Sequence, residues 1–354
     1  MPRATKFTAL LGIEHPVVQA PMAGVTPPAL VAAVSEAGGL GSLGAAVLGP
    51  DELIEQTRAL RGLTSRPFNL NFFCHQVPEL DAAAAARARD RFAPLYAELG
   101  LGEPPVPFVP PLAFDTARLE AVLEIRPAAA SFHFGLPDPA AVDALHDAGC
   151  RILSSATTVA EAEDLVARGA DAVIAQGAEA GGHRGSFLVA GDDGPVGTLA
   201  LVPQVVDAVD VPVIAAGGIA DGRGLAAALA LGAAGTQIGT AFLACPETEV
   251  QPLHRAALRA AKAEDAAITR AISGRPARAL RNRATEEAGD DPLAFPAQFT
   301  LTAPLALAAA QRGADDFLAL WAGQAAPLAR ELPAAELVAR IVDEADRILS
   351  ALSG

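Results

Sequence analysis

Val213-Ile214-Ala215-Ala216-Gly217-Gly218-Ile219-Ala220-Asp221-Gly222 is the stretch on which the fold turns. Its four leading apolar residues show no polar alternation, so they read as a strand buried on both faces, and a helix opens almost at once after them. The glycines between let backbone N–H groups approach a bulky anion, and the helix that follows presents its positive end to the same place. The next unit, Gly235-Thr236-Gln237-Ile238-Gly239-Thr240-Ala241-Phe242, repeats the arrangement. Turns of this kind also serve as plain steric links. Two adjacent units carrying the pattern favour a phosphate site at the mouth of two neighbouring strands.

Working outward, strands are expected at 15–19, 40–43, 68–72, 129–132, 151–154, 172–176, 213–216 and 236–238. Helices are expected at 27–37, 50–61, 139–148, 159–168, 199–209 and 222–231. Their starts carry Thr26, Asp138 and Asp221 or an early proline, and their ends carry Gly38-Gly39, Gly149, Gly169 and Gly232. Strands apolar on both faces that alternate with helices make a parallel sheet covered by helices. About eight such units is the number that closes a (β/α)8 barrel, with a doubly wound open sheet as the alternative that periodicity leaves open. The expected division is a barrel over 1–245, with an insertion at about 74–128, and a helical C-terminal subdomain over 246–354 that completes the substrate pocket.

Over 354 residues the apolar fraction is 51% and the charged fraction 19%, enough for a large core. Twenty-six Lys and Arg against 41 Asp and Glu give a net charge of −15, which argues against nucleic acid or an anionic membrane as partner. Cys74, Cys150 and Cys245 are too few and scattered for a disulfide framework or a zinc site, and no metal is expected. The first residues, Met1 to Phe7, lack a signal-peptide core and no apolar run is long enough to span a bilayer, so a cytoplasmic location is expected.

The second chemical element is Gln176-Gly177-Ala178-Glu179-Ala180-Gly181-Gly182-His183-Arg184-Gly185, at the end of the sixth expected strand. That is the catalytic end of a barrel strand, and histidine there can act as a base or as a hydrogen-bond donor to a developing anion. A lone loop histidine is usually inert; the flanking glycines and the strand-end position mark His183 as the candidate catalytic residue. Met22, after the first strand, offers a soft side chain to a planar ring. Asn71, in the third, can both donate and accept hydrogen bonds, and His133 ends the fourth, either as pocket wall or as a reactive group. Gly39-Leu40-Gly41-Ser42-Leu43-Gly44 spells a dinucleotide fingerprint, but it follows a helix and contains its strand where the fingerprint needs a strand before it. It reads as barrel wall.

Gln19-Ala20-Pro21-Met22, Asn69-Leu70-Asn71, Ser131-Phe132-His133-Phe134-Gly135, the Glu179-Ala180-Gly181-Gly182-His183 segment, Ala215-Ala216-Gly217-Gly218-Ile219, Gln237 to Phe242 and Leu320-Trp321-Ala322-Gly323-Gln324 together resemble the nitronate monooxygenase family, close to its class I members. The resemblance implies a TIM barrel with non-covalent FMN, contacted by Met22, Asn71, Gln176, Gly181, Gly218, Gln237, Gly239 and Thr240. It implies a small-molecule nitronate and O2 as co-substrates, one-electron transfer to the flavin, and His183 beside the substrate as base or electrostatic partner. Class I pockets also carry two tyrosines and a lysine, where this chain has Phe295, Phe299 and Ala303. Losing that cation weakens recognition of a carboxylated nitronate, so a larger or less charged substrate than propionate 3-nitronate is expected. The resemblance leaves open a flavin reductase using NAD(P)H, of the quinone or enoyl-acyl-carrier-protein reductase type. A phosphorylated-metabolite isomerase and a non-catalytic flavin-binding barrel also remain, as does the choice between monomer and homodimer.

Overall fold

A computed structural model describes residues 4–353 apart from 189–193, 288 and 290; Met1 to Arg3, part of the segment read above for a signal core, lie outside the described residues. Eight parallel strands run through the described chain: β1 Val17–Gln19, β2 Gly41–Gly44, β3 Phe68–Phe73, β4 Ala129–His133, β5 Arg151–Ala156, β6 Ala172–Gln176, β7 Val213–Ala216 and β8 Gly235–Ile238. Neighbours pair in the order β1-β8-β7-β6-β5-β4-β3-β2. A parallel bridge from Val18 to Leu40 joins the two ends, with the Gln19 amide on the Leu40 carbonyl at 3.0 Å. The sheet is therefore a closed barrel and not the open alternative.

Each strand is buried because helices cover its outer face. Val31, Leu53, Leu145, Leu165, Val205 and Leu225 fill the layer between wall and helices with no exposed surface. Gly41 belongs to that contact, since a Cβ there would meet the Val31 carbonyl oxygen at 2.1 Å. The glycines of the discounted fingerprint thus serve close packing. A short helix, Lys6–Leu11, plugs the bottom of the barrel, where Phe7 and Leu11 join Val18, Leu153 and Ile214.

Helix Thr116–Ile125 lies inside the segment expected as an insertion at about 74–128 and is the crossover that leads into β4. In the tail, the chain 246–354 is not helical throughout. Strands Ala266–Thr269 and Ala277–Leu280 form an antiparallel hairpin, and its second strand pairs with Gly182–His183 in the loop after β6. The final helix, Ala334–Ser353, sits in the outer ring beside helices Gly222–Ala230 and Pro28–Glu36 and buries Leu337, Val338, Ile341 and Ala345. A Cβ on Gly222 would meet the Glu344 Cβ at 2.4 Å, so the two helices touch backbone to backbone. The closing βα unit of the barrel therefore takes its helix from the end of the chain. No helix among the described residues is long and apolar enough to cross a membrane.

Candidate active site

The candidate residues gather toward the C-terminal mouth of the barrel, with Asn71 inside β3 and Phe295 and Phe299 brought in by the tail, and most of them divide into two groups. One follows β1, β7 and β8. Gly217 and Gly218 both take the left-handed conformation, φ 106° and 71°, which only glycine adopts at little cost. The amides of Gly218, Gly239 and Thr240 find no partner among the described residues. A Cβ on Gly239 would lie 3.5 Å from the Ala20 Cβ and 3.9 Å from the Met22 Sδ, so space opens there beside Met22. The helix expected to lend its positive end does not do so directly. Asp221 caps it, accepting from the Arg223 amide at 3.0 Å and pairing with the Arg223 guanidinium. What remains for an anion is the pair of glycine turns, a cradle of free amides that fits a phosphate.

Glu179 fixes this cradle. Its carboxylate oxygens accept from the Thr198 amide at 3.0 and 2.9 Å and from the Thr198 hydroxyl at 2.8 Å. That hydroxyl lies 2.9 Å from the Gly217 carbonyl. The residue capping helix Thr198–Ala208 is Gly197, which has no side chain, so Glu179 supplies the missing acceptor from another loop. The Ala322-Gly323-Gln324 stretch straps across: the Gly323 amide donates to the Thr240 hydroxyl at 2.9 Å and the Gln324 amide to the Glu179 carbonyl at 3.0 Å. Gly181 is glycine because a Cβ there would meet the Gly323 nitrogen at 2.5 Å.

Deeper in the barrel, Asn69 donates to the Ser42 and Ser131 hydroxyls at 3.1 and 2.8 Å, and Asn71 to the Ser131 hydroxyl at 2.9 Å. Gln176 holds its own loop, donating to the His183 carbonyl at 3.0 Å and accepting from the Gly185 amide at 2.8 Å. Buried Arg184 ties the same loop down through the Gly177 carbonyl at 2.7 Å. The side-chain amide of Gln237 has no protein hydrogen bond among the described residues, and the residue is half-buried.

The second group is an aromatic chamber on the far side of the mouth. The His183 ring lies 5.2 Å from Phe295, 5.3 Å from Trp321 and 6.2 Å from each of Phe73 and Phe299. The hairpin strand beside Gly182–His183 places its turn against the imidazole, and the His183 Nε2 lies 2.9 Å from the Ser273 hydroxyl. The Ser273 hydroxyl also lies 3.2 Å from the Arg275 carbonyl and accepts from the Arg275 amide at 3.3 Å; when its proton goes to that carbonyl, His183 donates to it from Nε2. His133 donates from Nε2 to the His183 carbonyl at 3.1 Å. Arg275 lies over the Phe134 ring at 3.9 Å and, with Arg270, lines a cleft of roughly 610 Å³ that reaches Phe295.

Burial dominates the electrostatics. It draws the His183 imidazole down to about 3, helped by His133, Arg275 and His75, and it draws His133 down to about 4. Both rings are therefore neutral at neutral pH. Among the described residues no three His, Cys, Asp or Glu side chains converge as metal ligands would.

Phe295 and Phe299 do meet His183 and each other, their ring centres 6.1 Å apart, whereas Ala303 is exposed at the far end of its helix turn. Sequence reading missed His75, Ser273 and Arg275. The only hint for His75 was its place two residues past the end of β3, and Ser273 and Arg275 lie in a hairpin turn whose strands have little β character in sequence.

Comparison with known proteins agrees with this geometry. The family profile described as nitronate monooxygenase matches residues 4–344. The nitronate monooxygenase of Pseudomonas aeruginosa is 49% identical over 96% of this chain and 98% of its own, and that of Paraburkholderia phytofirmans is 46% identical over 95% and 93%. Among solved structures, nitroalkane oxidase from Streptomyces ansochromogenes superposes with a TM-score of 0.90 at 43% identity, covering 98% of this chain and all of that one. FabK from Thermotoga maritima gives 0.75 at 31% identity over 99% of each chain. A closed barrel, a glycine cradle and an imidazole set in an aromatic chamber, matched along almost the whole length by these relatives, place the chain in the nitronate monooxygenase family of flavin oxidoreductases.

Proposed function

We propose that the protein binds FMN and oxidises alkyl nitronates with O2, releasing a carbonyl compound and nitrite. The phosphate would sit on the amides of Gly218, Gly239 and Thr240, with Met22, Gln237, Asn71, Gln176 and Gly181 around the ring. Bound there, the flavin supplies the electron acceptor for the nitronate and the site of reaction with O2. The protein's part is to hold, orient and dry the substrate.

The observation that carries this reading is the neutral His183 among Phe73, Phe295, Phe299 and Trp321. A base held to about 3 is poorly matched to removing a carbon-bound proton near neutral pH, where efficient general bases sit close to the working pH. Its apt role is to orient an anion that arrives already ionised. Arg275 and Arg270 at the cleft supply long-range attraction for that anion. The phenylalanines that replace tyrosines supply apolar surface for an alkyl tail, which supports a larger, less polar nitronate than propionate 3-nitronate.

Oxygen uptake with ethyl nitronate and with neutral nitroethane, on yellow purified protein, tests the proposal. Turnover of the nitronate is expected to exceed that of nitroethane by at least about tenfold. His183→Asn is expected to lower kcat/KM on both substrates to a similar degree, because orientation and not proton removal is lost. A selective loss on nitroethane would return His183 to the role of base. Rapid anaerobic bleaching by NADH, with no oxygen uptake on any nitronate, would favour a reductase.

A further inference from the structure

His75 lies just past β3 with 7% of its surface exposed, and neither ring nitrogen has a partner among the described residues. It is not a stray core residue. Its ring stands edge-on to Phe295 at 4.8 Å and 81°, and to Phe134 at 6.2 Å and 86°. Both phenyl rings also border His183, at 5.2 and 6.1 Å. His75 therefore borders the same aromatic chamber, through Phe295 and Phe134.

Of the three imidazoles sharing that chamber, His133 and His183 each spend one nitrogen on the protein, and His75 spends neither. Phenylalanine in the same slot would keep the edge-to-face packing and avoid leaving a donor and an acceptor dry. A buried polar group that the fold leaves unsatisfied points to a partner from outside the fold. Burial draws this imidazole down to about 4, so at neutral pH it keeps one N–H to give and one lone pair. The four phenylalanines nearby offer an anion no donor, and an oxyanion entering the dry chamber needs one.

We infer that His75 is a substrate-binding residue, donating its free N–H to an oxygen of the bound nitronate. The inference rests on the reading of the chamber as the nitronate site. Nitrate, planar, anionic and inert, serves as a mimic of the C–NO2 head. The flavin-loaded protein is titrated with sodium nitrate, followed by the visible spectrum, alongside steady-state kinetics on ethyl nitronate. In His75→Phe, nitrate affinity is expected to fall and KM to rise by about 10- to 100-fold, the range for a lost hydrogen bond to a charged group, with kcat falling far less. His75→Asn, which keeps a donor, is expected to recover part of the affinity, and it also serves if the phenylalanine variant does not fold. The melting temperature of His75→Phe is expected to stay level or rise, since an unpaired polar group is removed; a merely structural histidine would lower it. Unchanged KM in His75→Phe, or a KM rise that follows a fall in melting temperature, overturns the inference. If the wild type binds nitrate through His75 but consumes no oxygen with any nitronate, the reaction proposed above fails and the anion donor stands.

Discussion

Removing the Glu179 carboxylate should cost stability and cofactor together, and the size of the loss can be worked from its contacts. Glu179 accepts from the amide and the hydroxyl of Thr198, and that hydroxyl reaches the Gly217 carbonyl. A hydrogen bond to a charged group contributes about 1.5–3 kcal/mol, and an uncapped helix start costs about 1 kcal/mol of that. Because one residue receives both bonds, about 3 kcal/mol is a fair total for Glu179→Ala. For 354 residues, at about 2.1 cal/mol/K each, the unfolding entropy is about 0.7 kcal/mol/K, so the melting temperature should drop by about 4 °C. Glu179→Gln can still accept the Thr198 amide and donate to its hydroxyl, losing chiefly the charge at the helix start, so it should drop by only about 1 °C. Thermal melts of both variants, with the flavin-to-protein absorbance ratio of each preparation, measure the two effects. The ratio should fall in Glu179→Ala, whose Gly217-Gly218 turn loses the Glu179 stem packed against Gly218, and hold in Glu179→Gln. Equal melting of the two variants would refute the reasoning, as would a wild-type flavin ratio in Glu179→Ala.

Two other outcomes follow from the packing and the buried imidazoles. His75, His133 and His254 are held to about 4 and His183 to about 3, each mainly by burial, while the unfolded chain protonates near 6.5. Between those values the unfolded state binds more protons, so stability is fully present above pH 6.5 and is lost as pH falls toward 4. Melting temperatures at pH 7.5, 6.0 and 5.0 should be level and then decline, and His254→Leu should decline less steeply; a flat profile down to pH 5 would contradict the burial assigned to these rings. Gly222→Ala drives a methyl into Glu344 and Ala345 and should destabilise by about 1–3 kcal/mol through the displaced last helix, while leaving the flavin ratio intact. Loss of flavin in that variant would show the ring contact to be coupled to the cradle.

The barrel was legible because its strands are sealed on both faces: runs such as Val213–Ala216 and Ala172–Gln176 have no polar residue until their functional ends. The glycine turns were legible for the same reason that they work, since only glycine tolerates the conformation of Gly217 and Gly218. What stayed hidden depends on distant partners. The hairpin Ala266–Thr269 and Ala277–Leu280 has short, alanine-rich strands and is completed by Gly182–His183, about a hundred positions earlier in the chain. The stripe Leu337, Val338, Ile341 and Val342 announces a buried helix face, but nothing local says that the face meets Gly222–Ala230. His75 sits beside Gln76 just past Phe72-Phe73-Cys74, and only the fold brings it to Phe295.

The placement of helix Ala334–Ser353 between the first helix of the outer ring and the last one before it has a consequence for the order of events in synthesis. As the chain leaves the ribosome, strands β1 to β8 emerge long before the segment that shields the seam where β8 meets β1. Until that helix has emerged, the flank of helix Gly222–Ala230 around Gly222, which Ile341 and Ala345 cover, stays open to water and to other nascent chains. A message cut short between codons 240 and 334 would thus yield a chain with every barrel strand and every cradle glycine present, yet with an open side prone to aggregation.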